Sequence, residues 1–167
     1  MKKIFAFLFV LMIFTSTCFS QGIQGNYAIK NVQTGMLLRV KDAGSKNGTP
    51  LVAYYPENWK CMTWSFKNTG ENTYQLQNLL TGKTFQPSGA TNADVVFEEQ
   101  PLIPGSSNQQ YEFIAVKQDT YLIKIKGADL YITPADTEGS VNSAIILARK
   151  RNTPDQCWNI YQQSPTM

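Results

Sequence analysis

The chain repeats itself every 47 residues. Trp64, Tyr111 and Trp158 stand that far apart, and each is followed two residues later by an apolar partner, Phe66, Phe113 and Ile160. The same step carries Tyr27 to Tyr74 to Tyr121, Ile29 to Leu76 to Ile123, and Leu38 to Phe85 to Ile132. Asn31 falls on Asn78, and Thr34-Gly35 on Thr81-Gly82. A period kept without insertions between these anchors means one structural unit built three times, at about 24–70, 71–117 and 118–164.

Inside each unit the dominant pattern is alternation of apolar and polar residues, as in Asn26-Tyr27-Ala28-Ile29-Lys30 and Thr73-Tyr74-Gln75-Leu76-Gln77. That is the period of a half-buried strand. Turn chemistry separates the runs at Thr34-Gly35, Asn47-Gly48, Thr69-Gly70, Thr81-Gly82, Ser88-Gly89, Pro104-Gly105 and Lys126-Gly127. Four strands per unit follow: 25–31, 37–41, 51–55 and 63–67; then 74–78, 84–86, 95–99 and 110–115; then 121–125, 130–133, 144–149 and 157–161. No unit alone buries its apolar face. Closure of three units around an axis covers those faces together and limits exposed sheet edges, so the expectation is an all-β domain with pseudo-threefold symmetry.

The first twenty residues read differently. Lys2 and Lys3 precede an apolar run from Ile4 to Phe14, and small residues at Cys18 and Ser20 prepare cleavage before Gln21. This is the pattern of a secretory signal peptide. The run is too short for a membrane-spanning helix, which needs about 20 residues. A lipid attached at Cys18 is a second possibility, but Thr15 and Thr17 stand where such a signal wants an aliphatic and a small residue. The expectation is therefore a signal peptide at 1–20, a single domain at 21–167, and a protein exported to an extracellular or periplasmic space without a transmembrane segment after cleavage.

Without residues 1–20 the 15 Lys and Arg become 13 against 12 acids, a net charge of only +1. No basic patch invites nucleic acid. Cys61 and Cys157 stand at different points of their repeats, so the repeat gives no argument for a bridge between them. Whether they pair is left open by the sequence.

A four-strand unit of this length, repeated three times and ending in Gln-x-Trp, resembles the ricin B-type lectin family. The ending stands here as Met62-Thr63-Trp64, Gln109-Gln110-Tyr111 and Gln156-Cys157-Trp158, complete only in the last copy. Asn-x-x-Thr-Gly at 31–35 and 78–82, and Asn47-Gly48-Thr49-Pro50 ahead of a strand, are further family-like phrases. The resemblance implies a β-trefoil over essentially the whole chain after residue 20. It also implies that Trp64, Tyr111 and Trp158 pack in the barrel core rather than against a ligand.

A sugar pocket of that family combines an aspartate on the second strand, an aromatic ring at the end of the third, and a polar residue just before Gln-x-Trp. The carboxylate accepts hydroxyl hydrogen bonds, the ring covers the C–H face of a pyranose, and an amide completes the polar edge. In the first repeat these places hold Arg39, Tyr54 beside Tyr55, and Cys61, with Asp42 as a substitute acceptor and Asn58 as a substitute amide. The second repeat offers Gln86, then Phe97 or Glu99, then Asn108; the third offers Thr133, Arg149 and Asp155. No repeat keeps the full set, so the sites are degenerate. The first repeat, with Trp59 in its following loop, is the best candidate for a glycan or glycoconjugate.

The chain contains no histidine. That removes the Ser-His-Asp triad, the Cys-His pair and histidine zinc sites together. No phosphate loop or calcium string is present, and neighbouring Glu98 and Glu99 would face opposite sides of a strand. A non-enzyme without cofactor or metal is expected. The competing reading is a trefoil that acts on a protein partner through its loops, either 100–110 or the Trp59 loop, without sugar binding.

Overall fold

A computed structural model describes residues 22–167; the expected signal peptide at 1–20, Cys18 included, lies outside the described residues. The described chain forms twelve strands: β1 Gly25–Asn31, β2 Leu37–Val40, β3 Leu51–Tyr54, β4 Thr63–Asn68, β5 Thr73–Asn78, β6 Thr84–Pro87, β7 Phe97–Gln100, β8 Tyr111–Lys117, β9 Thr120–Ile125, β10 Leu130–Pro134, β11 Ile145–Arg149 and β12 Cys157–Gln162. All twelve sequence-derived strands are found, with ends displaced by at most two residues. Two-residue displacements occur at the start of β7 and the end of β8; before β7, Val95 and Val96 reach β11, where Leu147 N donates to Val95 O at 3.0 Å and Val96 bridges Ile146.

Six strands pair in the closed cycle β1-β4-β5-β8-β9-β12-β1, all antiparallel. Closure removes the edges that an open sheet would expose. The other six form the hairpins β2–β3, β6–β7 and β10–β11, which touch one another through the bridges Pro50–Glu98, Val52–Ala144 and Val96–Ile146. This is a β-trefoil. Its symmetry is legible in the register: Tyr27 lies opposite Trp64, Tyr74 opposite Tyr111, and Tyr121 opposite Trp158.

The core is built from the same repeated positions. Ile29, Leu38, Trp64, Leu76, Phe85, Tyr111, Ile123, Ile132 and Trp158 belong to one buried cluster. Each large ring also places its polar tip. Trp64 Nε1 donates to Leu38 O at 3.2 Å, Tyr111 Oη to Phe85 O at 2.7 Å, and Trp158 Nε1 to Ile132 O at 2.9 Å. A tyrosine replaces tryptophan here because its hydroxyl reaches the same repeated carbonyl. All three rings have no exposed surface, which gives them the structural role the resemblance implies.

Asn31 and Asn78 tie one repeat to the next. The Asn31 amide donates to Asp155 O at 2.7 Å, and Asn78 to Cys61 O at 3.2 Å, while each side-chain oxygen accepts from the turn that follows. In the third repeat Ile125 stands at this place, and Lys126 makes the tie instead, with N donating to Gln110 O at 2.9 Å and Nζ to Gln110 Oε1 at 2.7 Å. Cys61 is buried and Cys157 half-buried, and both are free thiols.

Candidate first-repeat groove

On the first hairpin, Leu38 and Ala53 turn into the core, so alternation sends Leu37, Arg39 and Tyr54 to the outer face. The register sets Tyr54 opposite Leu37 and Arg39 opposite Val52, which makes Arg39 the diagonal neighbour of Tyr54 on one face. The Arg39 Cζ lies 4.0 Å from the Tyr54 ring centroid and 5.7 Å from that of Trp59. Tyr54 and Trp59 are 6.2 Å apart with their planes tilted by 35°. Both pack on a small cluster of Ala28, Leu37, Cys61 and Met62, outside the main core.

Beside this cluster lies a groove of about 330 Å³ with apolar walls, lined by Arg39, Ala43, Trp59, Lys60, Cys61, Leu80 and Met167. Ala43 reaches it through the short 3₁₀ turn Lys41–Ala43, in which Asp42 and Ala43 take left-handed φ values of 50° and 53°. Leu80 comes from the turn after β5, which Asn78 docks against Cys61. Segment 163–167 runs along the 56–60 loop, with Gln163 Nε2 donating to Glu57 O at 2.7 Å and Lys60 N donating to Met167 O.

The structure brings together Arg39, Tyr54 and Trp59 of the six candidates. Tyr55 stands beside them, 56% exposed and edge-on to Tyr54 at 5.9 Å. Asp42 is exposed and next in the chain to the groove wall. Asn58 is placed elsewhere: its amide donates to Ser164 O at 3.0 Å, and it lines a separate polar hollow with Tyr161 and Gln163. Trp59 is half-buried rather than freely exposed, because its ring covers the small cluster. Leu80, Ala43 and Lys60 were missed by sequence reasoning. Only Leu80 carried a signal, an apolar residue in a turn where the first repeat has Gln33.

The corresponding places in the other repeats are filled. In the second, Gln100 pairs with Thr84 as Tyr54 does with Leu37, so neither Phe97 nor Glu99 holds the aromatic place. Phe97 is in the core, edge-on to Phe85 at 5.5 Å. Gln86 accepts from Gln109 Nε2 at 2.9 Å, and Asn108 accepts from Ser106 Oγ at 2.5 Å. Glu99 pairs with Phe85 as Ala53 does with Leu38 and Leu147 with Ile132, so a carboxyl occupies a core place. Burial raises its pKa, partly opposed by the Thr81 hydroxyl and the Lys83 charge.

In the third repeat, Thr133 Oγ1 donates to the backbone O of Asp155 at 3.0 Å and to its Oδ2 at 3.1 Å, and Arg151 bonds the same carboxylate. Burial pushes the Asp155 carboxyl up. The Thr153 hydroxyl, the Arg151 guanidinium and the Thr133 hydroxyl outweigh it and hold the carboxyl below its ordinary value. Arg149 is exposed and lines a different hollow with Asp129 and Lys150.

A family profile described as ricin-type β-trefoil lectin domain-like matches residues 14–98. Among solved structures, a designed threefold-symmetric protein, ThreeFoil, superposes with a TM-score of 0.79 at 17% identity, covering 83% of this chain and 99% of that one. The Rhizoctonia solani agglutinin gives 0.77 at 19% identity, with 86% and 98% covered. The Macrolepiota procera ricin B-like lectin, solved in complex with lactose, gives 0.70 at 16%, with 84% and 98% covered. No curated protein sequence matches the chain.

Proposed function

This chain belongs to the ricin-type β-trefoil lectin domain-like family, and on that premise we propose that it is a non-catalytic carbohydrate-binding module with one working site, the first-repeat groove. One observation carries the reading. At the equivalent places of the trefoil, Gln86 in the second repeat and Thr133 and Asp155 in the third are bonded within the protein, whereas the first presents Tyr54, Trp59 and Arg39 beside an apolar groove. Aromatic and aliphatic walls suit the C–H face of a pyranose, and a few polar groups at the rim orient it. We further propose that the protein acts after export, with the segment before Gln21 removed.

The test is a glycan array probed with residues 21–167, run beside Tyr54→Ala and Trp59→Ala. The expected result is binding to a defined set of glycans, weakened about tenfold or more when either ring is lost, as expected for truncating a central aromatic contact. An empty array from a folded protein would overturn the reading. The 100–110 loop would then be the place to look for a protein partner, because Ile103 is 57% exposed at its tip.

A further inference from the structure

Arg39 is in an unusual electrostatic position. Only 7% of the residue is exposed, its Nε is buried without an acceptor, and among the described residues no carboxylate forms an ion pair with it. Partly burying a guanidinium is costly unless a charge and hydrogen-bond acceptors answer it. The Tyr54 face offers a cation–π contact, which compensates charge without accepting any N–H. Cys61, which lines the same groove, supplies no acid. The third repeat has Asp155 at this place and satisfies it with Thr133 and Arg151. The first repeat therefore holds the cation of a pair and lacks the anion. Lys60, exposed at the surface, also lines this groove.

From this we infer that the first-repeat groove takes an acidic saccharide, its anionic group seated on Arg39 and its sugar ring against Trp59 and Leu80. The inference rests on the carbohydrate-binding reading and narrows it. A neutral sugar would leave the guanidinium without a counter-ion. An anion answers it with charge-assisted hydrogen bonds, and the planar fork of arginine matches a carboxylate in two parallel bonds. A uronic or sialic acid brings that carboxylate; a sulfated sugar brings the same charge on a tetrahedral group.

Calorimetric titration with three matched oligosaccharides tests this: one ending in a glucuronic acid, one in the corresponding neutral glucose, and one in a sulfated glucose. The expected result is an acidic probe bound about tenfold or more tightly than the neutral one, with affinity that falls as salt is raised. Whichever acidic probe is preferred identifies the anion. Arg39→Gln should bring acidic and neutral probes to the same affinity. Cys61→Asp should do so as well with Arg39 in place, because the new carboxylate would supply the missing partner from within. The salt dependence of the unmodified protein keeps the test valid if a variant fails to fold. Equal binding of neutral and acidic probes, unaffected by salt, would overturn the inference and leave the carbohydrate reading standing. Binding of none of the three, together with an empty array, would overturn both.

Discussion

At one point of the threefold frame, the third repeat bonds Asp155 to both Thr133 and Arg151, whereas the first has Cys61 in place of the acid and Arg39 without a carboxylate partner among the described residues. Backbone and core are the same at both places. Trp64 and Trp158 donate to equivalent carbonyls, and β4 and β12 begin from equivalent 3₁₀ turns, Lys60–Met62 and Pro154–Gln156. The trefoil frame therefore does not decide whether a pocket is closed or open. Two outward side chains per repeat decide it, and they can change without disturbing the ring packing beneath.

That separation of frame from pocket makes predictions of decreasing size. The largest concerns the frame itself. Trp64→Ala and Trp158→Ala should each cost about 3–5 kcal/mol, read as matching shifts of the urea midpoint. A much smaller loss in one would show that the two repeats differ in their cores as well as in their pockets.

The next prediction reaches the pockets, where equivalent positions should respond with opposite signs. Thr133→Val removes a buried donor from Asp155 and should cost about 1 kcal/mol. Arg39→Met removes a charge that no carboxylate among the described residues pairs with, and should leave stability unchanged or raise it by about 1 kcal/mol. Destabilisation by Arg39→Met comparable to that of Thr133→Val would mean that Arg39 has a stabilising partner, and the contrast between the repeats would collapse.

The smallest effects lie in the pH dependence, where the second and third repeats oppose each other. Asp155 has a folded pKa below its ordinary 3.8. Its stabilisation is present at neutral pH and is lost as acidification passes through that lowered value. Glu99 has a folded pKa above its ordinary 4.5. Its contribution is complete below 4.5 and is lost as the pH rises through the raised value. In melting curves across this range, Asp155→Asn should flatten the acid limb and Glu99→Gln the limb above it. A Glu99→Gln protein whose melting temperature still falls with rising pH as the wild type does would contradict the buried carboxyl described here.

Much of this was legible in the sequence because it is local or periodic. Alternation of period two marks each strand, turn residues mark its ends, and the 47-residue step aligns the rings. Spacing aligned Tyr111 with Trp64 and Trp158 although its Gln-x-Trp phrase lacks the tryptophan, and the family resemblance implied its place in the core. The family-like Asn-x-x-Thr-Gly phrases likewise proved structural, since Asn31 and Asn78 cap their own turns and bond the preceding unit.

What tertiary structure decided is who partners whom. The sequence shows Arg39 where an acid was expected, but whether another carboxylate reaches it depends on residues that only folding brings near. Leu80 enters the groove from the following repeat, Asn58 is drawn away by Ser164, and a one-residue difference in hairpin register carries Glu99 into a core place where its counterparts are Ala53 and Leu147. Strand periodicity follows from the geometry of a single chain. The satisfaction of a buried polar group depends on contacts between distant segments, and no local pattern encodes those.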